Sequence, residues 1–178
     1  MDDGAASTPH HVARRYVMMG VCGVGKSAVG ERFACAIGAT FVEGDNWHPI
    51  ENRERMAAGI PLTDADRSGW LQLLAEKLAD AKRDNDALVL SCSALKRSYR
   101  DMLRRGDSDT QFVLLEGDDA LIGERLAKRT GHFMPLSLLA SQLATLERPA
   151  HDEAVWACDV AQPVDVLVTM LVERVASA

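Results

Sequence analysis

Residues 20–27 read Gly20-Val21-Cys22-Gly23-Val24-Gly25-Lys26-Ser27, the pattern G-x-x-x-x-G-K-S. This pattern dictates local architecture: a strand must deliver the loop, and a helix must begin at its end. Backbone N–H groups of the loop and the helix N-terminus can then converge on a phosphate. Both flanks are present. The apolar run Tyr16-Val17-Met18-Met19 precedes the loop, and a helix-compatible stretch, Ala28–Ile37, follows it and stops near Gly38. A glycine-rich turn with a chance Lys-Ser is the competing explanation, and it leaves both flanks unexplained. Gly20, Val21, Cys22, Gly23, Val24, Gly25, Lys26, Ser27 and Ala28 are therefore the expected ATP-binding residues. Lys26 is expected to reach the β- and γ-phosphates, and the Ser27 hydroxyl to hold Mg²⁺.

Apolar runs at 16–20, 40–43, 87–92, 111–116 and 155–159 read as buried strands of a parallel sheet. Helical patterns fill the intervals. Ser68–Arg83 carries Trp70, Leu71, Leu74 and Leu78 on one side, and Ala94–Arg105 carries Leu95, Tyr99, Met102 and Leu103. Asp119–Arg129 and Pro163–Ala176 are the remaining helices. The alternation predicts a three-layer α/β fold with a five-stranded parallel sheet flanked by helices. The length of 178 residues fits one domain over 14–178, preceded by a flexible polar tail over 1–13.

Composition narrows the function classes. A net charge of −6 without a long basic run argues against nucleic-acid binding. No apolar run has the length of a membrane span, and the first residues lack the apolar core of a signal peptide. Cys22, Cys35, Cys92 and Cys158 form no C-x-x-C pair, so they read as reduced thiols in a cytoplasmic protein.

Open α/β sheets bind ligands beyond the carboxyl ends of their strands, so residues just after each strand carry the most weight. After the second strand comes Glu43-Gly44-Asp45-Asn46-Trp47-His48-Pro49. Asp45 is placed to orient an attacking hydroxyl, accept its proton, or hold a water on Mg²⁺. Its alternative is an Asp-Asn turn capping the next helix. His48 could donate to a substrate hydroxyl, and Arg53 could face the cleft. Asp64 reads as the N-cap of the helix carrying Trp70, while Arg67 stays open between packing and cleft. The third strand ends in Ser91-Cys92-Ser93 without the Asp that often assists Mg²⁺, which shifts that duty to Asp45. Ser93 can cap the helix that follows. Lys96 and Arg100, four apart, then share one helix face, suited to an anionic acceptor or merely solvated. Arg125 and Arg129 precede Thr130-Gly131-His132-Phe133-Met134-Pro135, where a short lid belongs in a phosphoryl-transfer enzyme. A helix end with a glycine cap is the alternative.

From Tyr16 to Val175 the chain resembles the bacterial-type gluconokinases, small P-loop kinases akin to shikimate and nucleoside monophosphate kinases. The stretches that carry the resemblance are MGVCGVGKSAVG, EGDNWHP, N-x-x-R-M-x-x-G-x-P-L-x-D-x-D-R-x-x-W, CSALKRSYRD, RTGHFMP and SQLATLERP. Cys22 and Val24 depart from the small hydroxyl residues expected there, without touching the backbone groups that bind phosphate. The resemblance implies a nucleoside monophosphate kinase-like fold with a short lid, ATP-dependent phosphorylation of D-gluconate at O6, a Mg²⁺ requirement and a homodimer. It implies Lys26, Asp45 and Arg125 as catalytic residues. It adds weight to His48, Arg53, Lys96, Arg100 and His132 beside the acceptor, and to Arg125 and Arg129 beside the nucleotide. Gln162 and Pro163 fall where such kinases surround adenine. A shikimate kinase-like enzyme and a nucleotide-binding regulator without transfer activity are the competing functions.

Overall fold

The computed structural model describes residues 14–128 and 136–178. The 1–13 tail lies outside them, as do Arg129 and the 130–135 segment read as a lid. The described residues form a five-stranded sheet of order β2-β3-β1-β4-β5, comprising β1 (Arg15–Met19), β2 (Thr40–Glu43), β3 (Leu88–Ser91), β4 (Gln111–Glu116) and β5 (Trp156–Asp159). All four pairings are parallel, with Val17 opposite Leu90 on one side and Phe112 on the other. All strands therefore end at one edge. β1 sits between β3 and β4, where the strand order reverses, so the crevice that a parallel sheet offers a ligand opens beyond β1.

Among the described residues seven helices accompany the sheet: α1 (Lys26–Ile37), α2 (Ile50–Ala57), α3 (Asp64–Arg83), α4 (Arg97–Arg104), α5 (Asp119–Lys128), α6 (Leu136–Thr145) and α7 (Val164–Ala176). The pleat of β1 divides the core. Tyr16 and Met18 pack on one face with Val29 and Phe33 of α1 and Leu167 and Leu171 of α7. Val17 and Met19 pack on the other with Trp70, Leu74 and Leu78 of α3 and Tyr99 and Leu103 of α4. This double burial is why β1 and β3 read as unbroken apolar runs rather than alternating ones. The exception in β1 is Arg15, whose Nε meets the buried Asp107 carboxylate at 2.6 Å.

Helix boundaries differ from the sequence reading where caps override periodicity. α3 starts at Asp64, four residues early, because Thr63 and Asp66 close a capping box. Asp64, expected as the cap, is instead free to bind elsewhere. α4 starts at Arg97 rather than Ala94, because Ala94 has φ 43° and Lys96 is extended. Ser93 is therefore not its cap, and Lys96 does not share a helix face with Arg100. α2 and α6, short or weakly amphipathic, left no clear periodic signal. Among the described residues no helix is long and apolar enough to cross a membrane.

Candidate active site

The glycine-rich loop leaves β1 through Gly20, whose φ is 136°. A Cβ there would stand 2.4 Å from the Leu115 carbonyl oxygen, so only glycine lets the loop turn against β4. No side chain caps α1, which leaves its first N–H groups to an anion. A cavity of 410 Å³ opens at this point, and Lys26, Ser27, Glu43, Asp45, Ser91 and Arg125 all contribute to its wall. Lys26 Nζ donates to the carbonyls of Gly20 at 3.1 Å and Val21 at 2.9 Å. The ammonium thus already lies folded over the loop. The Ser27 hydroxyl donates to the Glu43 carboxylate.

Asp45 is held by its backbone. It sits in a 3₁₀ turn over Gly44–Trp47, whose start is capped by Glu43. Gly44 packs so closely on β3 that a Cβ would fall 2.2 Å from the Ser91 carbonyl oxygen. From the other side, Trp70 of α3 donates its indole N–H to the Gly44 carbonyl at 2.8 Å. Sheet and helix together fix the residue that carries Asp45, leaving its carboxylate exposed on the cavity wall. The alternative of Asp45 as a helix cap has no bond behind it, since Glu43 caps the turn and Pro49 precedes α2.

His48 lies behind this turn, buried and stacked on Trp70 with ring centroids 3.9 Å apart. Burial, then the charges of Arg67 and Arg53, push its pKa down to about 4. The imidazole is therefore neutral near neutral pH, and it supports the Asp45 turn rather than lining the cavity.

Arg125 contributes to the cavity wall, and its Nη2 donates to the Val160 carbonyl at 2.7 Å. That bond draws it beside the turn leading to Gln162 and Pro163, both exposed ahead of α7. Arg129 and His132, the other residues expected here, lie outside the described residues.

The expected acceptor cations fare differently. Arg100 is fully buried and bidentate to Glu153, at 2.6 and 2.8 Å, and also donates to the carbonyls of Ala94, Leu95 and Glu147. Sealed from the surface, it is out of a substrate's reach; it staples the segment before α4 to the segment after α6. Lys96 Nζ sits 2.8 Å from both oxygens of Asp64, which also accepts from the Tyr99 hydroxyl. Arg53 is exposed on α2.

Two contributors escaped the sequence reading. Glu43 is the last residue of β2, a polar end to an apolar strand, and that is its only signal in the sequence. Gln142 on α6 is buried and accepts the Cys22 N–H through Oε1 at 2.7 Å, so a helix distant in sequence braces the phosphate loop. Its only signal was its place in SQLATLERP. The Cys22 thiol is likewise buried, which pushes its pKa up against the pull of Lys26.

Comparison with known proteins agrees with this geometry. The family profile of the AAA domain matches residues 16–149. The thermoresistant gluconokinase of Escherichia coli (strain K12) is 43% identical over 168 residues, covering 94% of this chain and 96% of that protein. The crystal structure of a gluconokinase from Sinorhizobium meliloti 1021 superposes with a TM-score of 0.84 at 48% identity, covering 93% of each chain. Shikimate kinase from Bacteroides thetaiotaomicron superposes with a TM-score of 0.66 at 17% identity over 91% of this chain and 98% of that one, a likeness of fold alone.

Proposed function

The chain belongs to the gluconokinase family of P-loop kinases, and we propose that it phosphorylates D-gluconate with ATP through the residues gathered around the glycine-rich loop. The observation that carries the reading is one cavity wall shared by the loop, Lys26, Arg125 and the rigidly held Asp45. Each matches a demand of phosphoryl transfer. The reaction passes through a loose transition state, so catalysis is mostly positioning and charge stabilisation. The loop amides hold the phosphates. Lys26 leaves the loop carbonyls to follow charge onto the transferring group, and Arg125 neutralises that charge from the opposite side. Asp45 orients the terminal hydroxyl of gluconate and takes its proton, with Trp70 and Gly44 fixing its position.

The same reading includes Mg²⁺. Ser27, Glu43 and Asp45 offer only hard oxygen donors. Among the described residues no group of three or more His, Cys, Asp or Glu forms a cage, which suits an ion that keeps waters and binds largely through phosphates. Ser27 would hold the ion, with Glu43 and Asp45 beside it, and the ion would supply positive charge to the phosphates. The family resemblance supports a homodimer and a cytoplasmic setting, the latter also fitting four unpaired cysteines. Arg129 and His132 belong to the proposal on the resemblance alone, with Arg129 beside the nucleotide and His132 beside the acceptor. So does an adenine site at Gln162 and Pro163, for which the Arg125 contact to Val160 adds support.

ADP release measured over a panel of gluconate, glucose and shikimate tests the function. Gluconate should be turned over, with kcat/KM at least about a hundredfold above glucose. Turnover of shikimate in place of gluconate, or of none of the three, would sink the reading.

A further inference from the structure

Gln142 stands on α6 four residues after Leu138 and three after Leu139, and all three are buried. By helical spacing they share one face, so a polar side chain interrupts an apolar stripe. A leucine there would bring no polar group to satisfy, and a buried amide has to be bonded. The bond it makes is specific. Its Oε1 accepts the Cys22 N–H at 2.7 Å, away from solvent. The carbonyl of the same peptide unit, that of Val21, accepts Lys26 Nζ at 2.9 Å. Among the described residues no peptide bond is cis, so this unit is planar and trans, with its N–H and C=O pointing in opposite directions. One rigid plane therefore carries Gln142 at one end and the ammonium at the other.

That plane is easy to turn when nothing holds it, because Gly20 precedes Val21 and Gly23 follows Cys22. Turning it would break both bonds at once. The two bonds also reinforce each other, since a peptide N–H that donates makes its own carbonyl a better acceptor. An ammonium has three donors. Two of those on Lys26 go to the carbonyls of Gly20 and Val21, so the direction of these carbonyls decides where the third points. We propose that Gln142 is a positioning residue for Lys26: through the Val21–Cys22 peptide unit it fixes the carbonyl that aims the ammonium over the phosphate site. The inference rests on the proposed part of Lys26 in phosphoryl transfer. Gln142 also lines a second pocket, of 170 Å³, walled by α3, α6 and the segment before α4, while Cys22 lines the phosphate cavity. Under the proposed function this second pocket serves the acceptor, so the side chain that sets Lys26 is in contact with both ends of the cleft.

A double-mutant cycle with Lys26→Ala tests this. Wild type, Gln142→Met, Lys26→Ala and the double variant are compared by their Kd for a non-hydrolysable ATP analogue with Mg²⁺ and by kcat with gluconate. Met keeps the length and the apolar stem of Gln142 and loses the acceptor oxygen. With Lys26 present, Gln142→Met should weaken analogue binding and lower kcat by about tenfold each, the scale of one buried donor left unpaired. With Lys26 replaced, the same change should alter either quantity by less than about twofold, because the residue it acts through is gone. A side chain that only fills the α6 face, or only satisfies the N–H, would cost the same in both backgrounds and would overturn the proposal. Unchanged or tighter analogue binding in Gln142→Met would overturn it as well. So would an effect confined to KM for gluconate, which would leave Gln142 to the acceptor pocket. Thermal unfolding reports the fold. Should Gln142→Met not fold, Gln142→Asn, whose amide falls one methylene short of Cys22, enters the same cycle under the same criteria. The binding arm involves no acceptor: nucleotide binding without gluconate turnover would overturn the functional assignment, and the cycle in Kd would still decide on Gln142.

Discussion

At the phosphate end of the cleft, recognition rests on backbone amides, on a loop whose path is forced by Gly20 against β4 and by the start of α1. At the other end, proposed here for the acceptor, the wall is built of side chains from α3, α6 and the segment before α4, and the pairs Lys96–Asp64 and Arg100–Glu153 hold them in place. A backbone site depends on a short contiguous stretch and tolerates Cys22 and Val24 among its variable positions. A side-chain site depends on which carboxylate finds which cation across distant segments, and a change of one partner alters the others. The phosphate end should therefore fail in catalysis while keeping its fold. The scaffold of the acceptor end should fail in stability first.

The largest expected effect falls on that scaffold. Arg100→Ala removes the partner of a buried carboxylate and three carbonyl bonds at once. Breaking a buried pair from one side destabilises by about 3–5 kcal/mol, and Arg104, 3.2 Å from the same carboxylate, keeps the loss at the low end of that range. Urea unfolding at neutral pH should show this loss, and molecules that remain folded should still bind an ATP analogue. A variant as stable as wild type would show that the Glu153 pair does not hold this end together. The pair also sets an acid limit. Arg100, against the opposing effect of burial, brings the Glu153 carboxyl down to about 2 from an ordinary 4.5. The folded pKa lies below the unfolded one, so the stabilisation is complete above about pH 4.5 and fades as pH falls toward 2. The shift corresponds to about 3 kcal/mol across that window. Unfolding free energies at pH 7, 4.5 and 3 should trace it, with a shallower slope for Arg100→Ala.

Next in size is the catalytic failure expected at the phosphate end. Lys26→Ala should lower kcat by roughly a hundredfold or more, on the scale of one lost electrostatic donor. Its thermal midpoint should stay near that of wild type, since the Lys26 contacts to Gly20 and Val21 are only partly buried. Turnover like that of wild type in the folded variant would separate Lys26 from the chemistry. A large loss of stability would erase the contrast between the two ends.

The contrast also explains what could be read in the sequence. The loop, the strands and the position of Asp45 follow from local pattern: a glycine spacing, apolar runs of strand length, and a polar break after each. The sheet and the flanking helices other than α2 and α6 are legible for the same reason. The i,i+4 spacing of Lys96 and Arg100 implies a shared face only within a helix, and the chain becomes helical only at Arg97. That Arg100 is sealed by Glu153 across 53 residues is a fact of tertiary pairing. No spacing rule distinguishes an arginine sealed in a buried pair from one on an open helix face. Gln142 bracing Cys22 was hidden in the same way, by a separation of 120 residues.

The smallest expected effect asks whether the phosphate end is as purely a backbone device as this comparison makes it. Glu43 has two contacts there, accepting the Ser27 hydroxyl and, at 3.5 Å, the Asp45 N–H. The second is a turn cap, and a neutral amide oxygen serves it nearly as well as a carboxylate. The first concerns Mg²⁺: a carboxylate that orients the Ser27 hydroxyl and raises negative potential beside it should strengthen metal binding through charge. Glu43→Gln keeps one oxygen to cap the turn, replaces the oxygen facing Ser27 with an NH₂ donor toward which the hydroxyl can turn as acceptor, and removes the charge. Partners of this kind typically change metal affinity by about 10–100-fold, and a half-buried pair on the wall of an open cavity belongs at the low end. The Mg²⁺ concentration for half-maximal activity should therefore rise about tenfold. Thermal stability and kcat at saturating Mg²⁺ should stay within a few-fold of wild type. An unmoved Mg²⁺ titration would reduce Glu43 to a turn cap and leave the phosphate end to its backbone, Lys26 and Ser27. A tenfold shift would show side-chain charge at work there too, drawing the two ends of the cleft closer in kind.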